Sequence, residues 1–310
     1  MFGDLKLLSG NAHPELAAAI AAELKVKVGD MQLTRFSDGE YDVKIAESVR
    51  GLDVFVIQPT CQPVSENLIQ LFIILDALHR ASAARVTAVI PYYGYARKEK
   101  KTAPRDPISA KLMANVITLA GANRVIALDL HADAIQGFFD IPFDHLTAQK
   151  ILAQHIRQRH LGDIVVVSPD VGGTRRARDI ARLIDAPLAI VEKRRPRDDV
   201  TEVLNVIGEV EGMNAVVVDD LISTGRTLVG VANALVASGA RTVDVMATHG
   251  IFSDGAVERL AAAPIDQIVV TDSIPHPAQH EKLMRLSVAP LLAEGISRVH
   301  EDRSVSELFG

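Results

Sequence analysis

At 310 residues, with 48% hydrophobic and 23% charged side chains, the chain is long enough for two domains, each burying an ordinary core. A formal net charge of -6 argues against a nucleic-acid binder, which is usually basic, and no apolar run approaches the ~18–20 residues of a membrane span. The lone cysteine, Cys61, excludes an intrachain disulfide; with no signal-peptide pattern at the N-terminus, it predicts a protein of the reducing cytoplasm.

In chain order, short apolar runs at 6–8, 54–57, 86–90 and 125–128 read as buried strands, with helical spacing over 14–24, 66–80 and 108–119 between them. A helical stretch at 148–159 follows. The series then resumes with strands at 164–167, 188–191, 215–218, 243–247 and 268–270, and helices near 176–184, 227–237 and 256–262. Without tryptophan the core must be built from Val, Ile, Leu and Ala, which suits sheets covered on both faces. Alternation of strand and helix predicts an α/β protein of two doubly wound domains, each with a mainly parallel sheet flanked by helices. The boundary falls just before the central helix, giving domains 1–146 and 147–310. Each domain ends a strand in acidic and polar residues: Ala127-Leu-Asp-Leu-His131 in the first, Val218-Asp-Asp-Leu-Ile-Ser-Thr-Gly225 in the second.

The most informative stretch is Ala215-Val-Val-Val-Asp-Asp-Leu-Ile-Ser-Thr-Gly-Arg-Thr227. An apolar strand runs into two acids, then a small polar loop, then a helix. Ser223, Thr224, Gly225, Arg226 and Thr227 offer hydroxyls and helix N-terminal N–H groups to a phosphate. Asp219 and Asp220, at the strand's C-terminal end, can accept hydrogen bonds from vicinal hydroxyls such as those of a ribose, at the edge where open parallel sheets bind ligands. An ordinary strand–turn–helix with an acidic N-cap is the plainer alternative.

Two dense basic runs stand out in this acidic chain: Arg97-Lys98-Glu99-Lys100-Lys101 and Lys193-Arg194-Arg195-Pro196-Arg197. Either alone reads as solvated surface; together, near other site-like residues, they suit a small polyanionic ligand. His131 follows a strand beside Asp129, and Asp170 follows the strand at 164–167 and precedes a Gly-Gly helix start. A strand-end histidine can equally be structural. The loop Phe36-Ser-Asp-Gly-Glu40 by itself reads as a plain turn. No Walker P-loop, zinc-spaced Cys/His cluster or nucleophile elbow occurs.

The segment 215–227 resembles the phosphoribosyl-diphosphate loop shared by phosphoribosyltransferases and phosphoribosyl-diphosphate synthetases. Phe36-Ser-Asp-Gly-Glu40, Tyr95-Ala-Arg97, Asp129-Leu-His131, Ile135-Gln-Gly-Phe-Phe139, Ser168-Pro-Asp170-Val-Gly-Gly173 and Lys193-Arg-Arg-Pro-Arg197 fall in the order found in the ribose-phosphate diphosphokinase family. The resemblance runs from Ser9-Gly-Asn-Ala-His13 to Ser304-Val-Ser-Glu-Leu-Phe309. It implies two phosphoribosyltransferase-like domains with the active site between them, the first on the ATP side and the second on the ribose 5-phosphate side. The last stretch of about 15 residues is expected to pack back on the first domain.

The same resemblance implies transfer of the diphosphate of ATP to ribose 5-phosphate, giving phosphoribosyl diphosphate and AMP for nucleotide biosynthesis. Mg2+ is the implied cofactor, with His131 and Asp170 as its contacts; because magnesium prefers oxygen, His131 is the less expected ligand. Lys193 and Arg195 are the implied catalytic cations of a flexible loop, with Arg195 also meeting ribose 5-phosphate. Phe36, Asp38, Gly39 and Glu40, from a neighbouring subunit, and Arg97 and Lys98 are the implied ATP contacts. Ribose 5-phosphate is expected at Asp219, Asp220 and 223–227. Ser48, Arg50 and Ser82 fall where relatives bind regulatory phosphate or ADP, and the family implies a homo-oligomer, with a hexamer as the expected form.

Two departures stand out. Lys98-Glu99 replaces the usual Gln-Asp, and Ser223-Thr-Gly-Arg226-Thr227 replaces the Asp-Thr-Gly-Gly-Thr of many bacterial members. Arg226 makes the loop more positive and modestly favours a phosphoribosyltransferase as the alternative. A catalytically silent regulatory relative is the other; intact Lys193, Arg195, His131 and Asp170 speak against it.

Overall fold

Strands with both faces buried and helices with one apolar stripe can satisfy each other only in layers. The computed structural model describes residues 3–159, 161–194, 203–276 and 279–308. The chain forms two units: 1–147 with 273–275 and 288–310, and 148–272 with 276–287.

The first unit contains β1 (Leu5–Ser9), α1 (Pro14–Leu24), the ribbon β2 (Met31–Arg35) and β3 (Tyr41–Ile45), β4 (Asp53–Ile57), α2 (Val64–Arg80), β5 (Arg85–Ile90), α3 (Ser109–Leu119), β6 (Arg124–Leu128) and β7 (Phe143–Leu146). A 3-10 turn, Asp133–Phe138, precedes β7. The sheet order is β1-β4-β5-β6-β7, every neighbouring pair parallel, while β2 and β3 pair antiparallel by themselves. All of Val54, Phe55, Val56 and Ile57 are buried, as are Leu71, Ile74, Leu75 and Leu78 on the inner stripe of α2. Helix α1 starts where the His13 ring accepts the N–H of Leu16 at 3.3 Å and Pro14 presets the first turn.

At the N-terminal edge of this sheet a buried ion pair joins adjacent strands. Arg85 forks onto Asp53 through Nε (2.8 Å) and Nη2 (2.6 Å), and the two residues stand in register. Arg85 Nη2 also donates to the Val299 carbonyl at 2.9 Å, and His300 Nδ1 lies 2.8 Å from Asp53 Oδ2. These contacts tie the last helix of the chain, Ala289–His300, to the first unit.

The second unit contains α4 (Gln149–Gln158), β8 (Ile164–Ser168), α5 (Thr174–Ile184), β9 (Leu188–Arg194), β10 (Val203–Ile207), β11 (Asn214–Ile222), α6 (Arg226–Ala237), β12 (Thr242–Gly250), α7 (Ala256–Ala261), β13 (Gln267–Thr271) and β14 (Leu283–Leu286). Its seven strands run β10-β9-β8-β11-β12-β13-β14, parallel throughout except for the β9–β10 pair. From β8 the chain steps out to β9, then returns to β8's other side as β11. The strand order therefore reverses between β8 and β11, which is where such sheets open a crevice at their carboxyl ends. The chain's last helix, α8 (Ala289–His300), belongs to the first unit.

Every strand and helix expected from the sequence is present, with differences at the ends. The apolar run alone ends the strand of the acid pair at 218, but β11 continues to Ile222; likewise β9 runs to Arg194 where a loop is expected from 193. The elements β2, β3, β7, β10, β14 and α8 come in addition to the expected ones. Among the described residues, no helix is long and apolar enough to cross a membrane.

Candidate active site

The reversal point in the second unit brings together the ends of β8 and β11. Strand β8 delivers Ser168 and then Asp170. The Ser168 hydroxyl donates to the Asp170 carbonyl at 2.7 Å, and Asp170 Oδ1 accepts the Gly173 N–H at 2.8 Å. These bonds shape the turn into α5 and leave the Asp170 carboxylate exposed at the sheet's carboxyl edge.

Strand β11 delivers Asp219 and Asp220. Consecutive residues of a strand point to opposite faces, yet both carboxylates meet one guanidinium. Arg176, in the first turn of α5, places Nη1 3.6 Å from Asp219 Oδ1 and 3.4 Å from Asp220 Oδ1. Asp219 reaches it by folding along the strand, its Oδ1 accepting the Asp220 N–H at 2.8 Å. Burial holds the Asp219 carboxyl well above the usual carboxylate range, the neighbouring Asp220 charge adds to this, and Arg176 opposes it.

Beyond Ile222 the chain turns through 223–225 into α6. Gly225 has φ 71°, the left-handed region, and a Cβ there would lie 2.9 Å from Leu260 Cγ. The loop is held from outside: Arg259 on α7 donates to the Thr224 carbonyl and, at 2.8 Å, to the Asp254 carbonyl, while the Ser223 and Ser253 hydroxyls are 3.2 Å apart. Arg226 and Thr227 open the helix on its exposed side. Hydroxyls, helix N-terminal amides and a cation thus follow directly on a pair of acids, an arrangement suited to a phosphorylated polyol.

In the first unit, β6 ends at Leu128 and Asp129 turns the chain with φ 35° while remaining buried. Strand β7 holds that turn: the Leu130 N–H donates to His145 Nε2 at 2.9 Å, and the Asp129 N–H donates to the Leu146 carbonyl at 2.9 Å. His131 follows, exposed. Arg97 and Lys98 are exposed beyond β5, with Lys98 Nζ 3.7 Å from Asp106. Phe36, Asp38, Gly39 and Glu40 form the tip of the β2–β3 ribbon. There the Phe36 N–H donates to the Glu40 carbonyl at 2.8 Å, and Phe36 as a residue is 49% exposed. Ser48, Arg50 and Ser82 are exposed, and the Gly51 N–H donates to the Ser82 carbonyl at 3.0 Å, joining their two turns.

Asp170, Asp219, Asp220 and 223–227 are therefore assembled around one sheet edge in the second unit. Lys193 lies on β9, its backbone opposite Leu204 of β10; Arg195 lies outside the described residues. Arg176 and Arg259, which hold the acid pair and the 223–225 turn, and His145, which holds the turn before His131, are not among the residues that sequence reasoning singles out. Arg176 alone leaves a signal there: Arg175 and Arg176 occupy a helix's first turn, where the dipole disfavours cations.

The family model for the N-terminal domain of ribose phosphate pyrophosphokinase matches residues 5–121, and the phosphoribosyl synthetase-associated domain matches 172–310. A protein named ribose-phosphate pyrophosphokinase from Caldanaerobacter subterraneus subsp. tengcongensis is 54% identical over 308 residues, covering 98% of each chain. One of the same name from Bacillus subtilis is 52% identical over 312 residues, covering 99% of this chain and 98% of the relative. The crystal structure of phosphoribosylpyrophosphate synthetase from Mycobacterium smegmatis superposes with a TM-score of 0.92 at 44% identity, over 96% of this chain and 99% of that one. The chain belongs to the ribose-phosphate pyrophosphokinase family.

Proposed function

We propose that the protein transfers the diphosphate of ATP to the anomeric hydroxyl of ribose 5-phosphate, releasing AMP and supplying phosphoribosyl diphosphate for nucleotide synthesis. The observation that carries this reading is the acid pair Asp219–Asp220 leading straight into the 223–227 loop, at the reversal point of a doubly wound sheet. Family membership speaks for a synthetase over a base-transferring phosphoribosyltransferase.

In this reading the 5-phosphate sits on the Ser223–Thr224–Gly225 backbone and the first turn of α6, where Arg226 adds charge. The ribose hydroxyls donate to Asp219 and Asp220. The anomeric oxygen then attacks the β-phosphorus of ATP in line, the bond to the α-phosphate oxygen breaks, and AMP departs. Lys193 and Arg195 stabilise the charge that builds on the transferring oxygens, the main lever in such reactions. Arg97 and Lys98 bind the triphosphate, and the ribbon tip at Phe36, Asp38, Gly39 and Glu40 stacks on and hydrogen-bonds adenine from a neighbouring subunit of a homo-oligomer, a hexamer in this reading. The setting is the cytoplasm.

Mg2+ would screen the triphosphate and polarise it for attack. Asp170 fits this ion: its carboxylate is exposed and one oxygen is already oriented by the Gly173 N–H. His131 is the softer partner, better suited to a metal-bound water or a phosphate. Among the described residues no group of three or more His, Cys, Asp or Glu could hold a metal, which fits an ion that arrives with most of its ligands from phosphate and water. Ser48, Arg50 and Ser82 would bind regulatory phosphate or ADP, and ADP inhibition relieved by replacing Arg50 is the check.

The direct test follows AMP from ATP, ribose 5-phosphate and Mg2+. Replacing Lys193 with Ala should lower turnover by ~10²–10³ with modest change in either KM. Turnover within a few-fold of wild type would remove Lys193 from the mechanism.

A further inference from the structure

We propose that Arg176 is a positioning residue for sugar binding, its guanidinium gathering the Asp219 and Asp220 carboxylates to one side of β11 as paired acceptors for the ribose hydroxyls. This rests on the reading of function above and extends it to a residue that the acid pair needs but the substrate need not touch.

Three observations converge. The first is geometric. Neighbouring side chains on a strand diverge to opposite faces, but Asp219 and Asp220 meet the same nitrogen of Arg176, at 3.6 and 3.4 Å. The fold of Asp219 back onto the Asp220 N–H completes the gathering. The second is electrostatic. Asp220 is 4% exposed, and two adjacent carboxylates in so little water repel, so a cation in contact with both favours their staying side by side. Burial and mutual repulsion raise the Asp219 carboxyl, while the Arg176 charge and the Asp220 N–H work against that rise. The third is local cost. Arg176 stands in the first turn of α5, against the helix dipole, and α5 gains nothing there from a cation. A residue that breaks a local rule is expected where a site requires it. The same helix opens at Thr174, a short turn after Asp170, so one short segment, 168–176, both presents that carboxylate and aligns the acid pair.

Arg176→Gln and Arg176→Lys, with Arg182→Gln as control, test this. Arg182 is exposed on the same helix, 4.0 Å from Asp179. Steady-state kinetics with each substrate varied would be paired with calorimetric titration of ribose 5-phosphate and a thermal melt. We expect Arg176→Gln to raise the KM for ribose 5-phosphate on the order of 10–100-fold, the scale for removing the outer partner of a ligating side chain. The KM for ATP should stay within about twofold, Lys at 176 should recover most of the loss, and Arg182→Gln should behave as wild type. A folded Arg176→Gln enzyme with unchanged KM for ribose 5-phosphate overturns the proposal. So does an equal rise in both KM values that tracks a lowered melting temperature and is not repaired by Lys. Should Arg176→Gln not fold, Arg176→Lys decides: a point charge serves two carboxylates less well than a planar fork, so a rise of a few-fold for ribose 5-phosphate alone supports the role. Unchanged or equally raised KM values refute it. If the wild-type protein neither binds ribose 5-phosphate nor forms AMP, the functional reading itself fails and this inference with it; a competent wild type matched by Arg176→Gln sinks only the inference.

Discussion

Asp219 and Asp244 are both held above the usual carboxylate range, and for both burial is the leading cause. Their settings differ. Asp219 stands near the carboxyl end of β11 beside Asp220 and Arg176, where a ligand can answer the charge. Asp244 sits near the other end of β12, 1% exposed, with its carboxylate 3.3 Å from Arg159. Its pKa is pushed up to about 6. Because the folded value lies above the unfolded one, the favourable difference is fully present below about pH 3.9 and is lost as pH rises through the folded value. At neutral pH the buried charge therefore costs at most roughly 3 kcal/mol. Asp244→Asn should raise the melting temperature at pH 8 and leave it unchanged near pH 3.5. A lower melting temperature at pH 8 would show that the Arg159 pair outweighs the burial.

Elements divide into those whose sequence announces them and those that only packing creates. Val165–Val167 or Ala215–Val218 can be nothing but interior strand, since every residue is apolar and buried. The ribbon β2–β3 shows the opposite case: its residues alternate between half-buried and exposed, a period-2 pattern that a search for continuous apolar runs passes over. Strand β10 exists by pairing with an extended β9, a contact no local pattern encodes. The candidate site divides in the same way. The acid pair and the 223–227 loop are contiguous and could be read directly, whereas Arg176 and Arg259 reach them from helices 44 and 35 positions distant in sequence. Gly225 marks where element and site depend on each other. With φ 71° and Leu260 Cγ only 2.9 Å from where a Cβ would stand, Gly225→Ala should cost about 1–3 kcal/mol in unfolding free energy. It should also raise the KM for ribose 5-phosphate more than that for ATP. Urea denaturation with parallel kinetics checks both, and equal changes in the two KM values would mean the loop does not hold the sugar phosphate.

On the scale of the whole molecule, the chain crosses between its two units more than once, so neither is a single stretch. The first unit is completed by α8, whose Leu292, Ala293, Ile296 and Val299 are at most 4% exposed. Their burial contributes on the order of 1.5–3 kcal/mol per large side chain, against a total stability of about 5–15 kcal/mol for a typical domain. Removing α8 also takes the Val299 carbonyl from Arg85 and His300 from Asp53, which is fully buried. A fragment of residues 1–147 should therefore lack a cooperative thermal transition, and rejoining 288–310 through a flexible linker should restore one. A sharp transition in the short fragment would show that α8 is dispensable to that core.

In the proposed reaction the anomeric oxygen of ribose 5-phosphate takes the β-phosphorus of ATP. Phosphorus NMR of the full-length protein with ATP, ribose 5-phosphate and Mg2+ resolves the outcome in one spectrum. AMP and a sugar-linked diphosphate should appear in equal amounts as both substrates are consumed. ADP with a sugar bisphosphate would place the attack on the γ-phosphorus, and ADP with free phosphate would mean that water is the acceptor; either contradicts it.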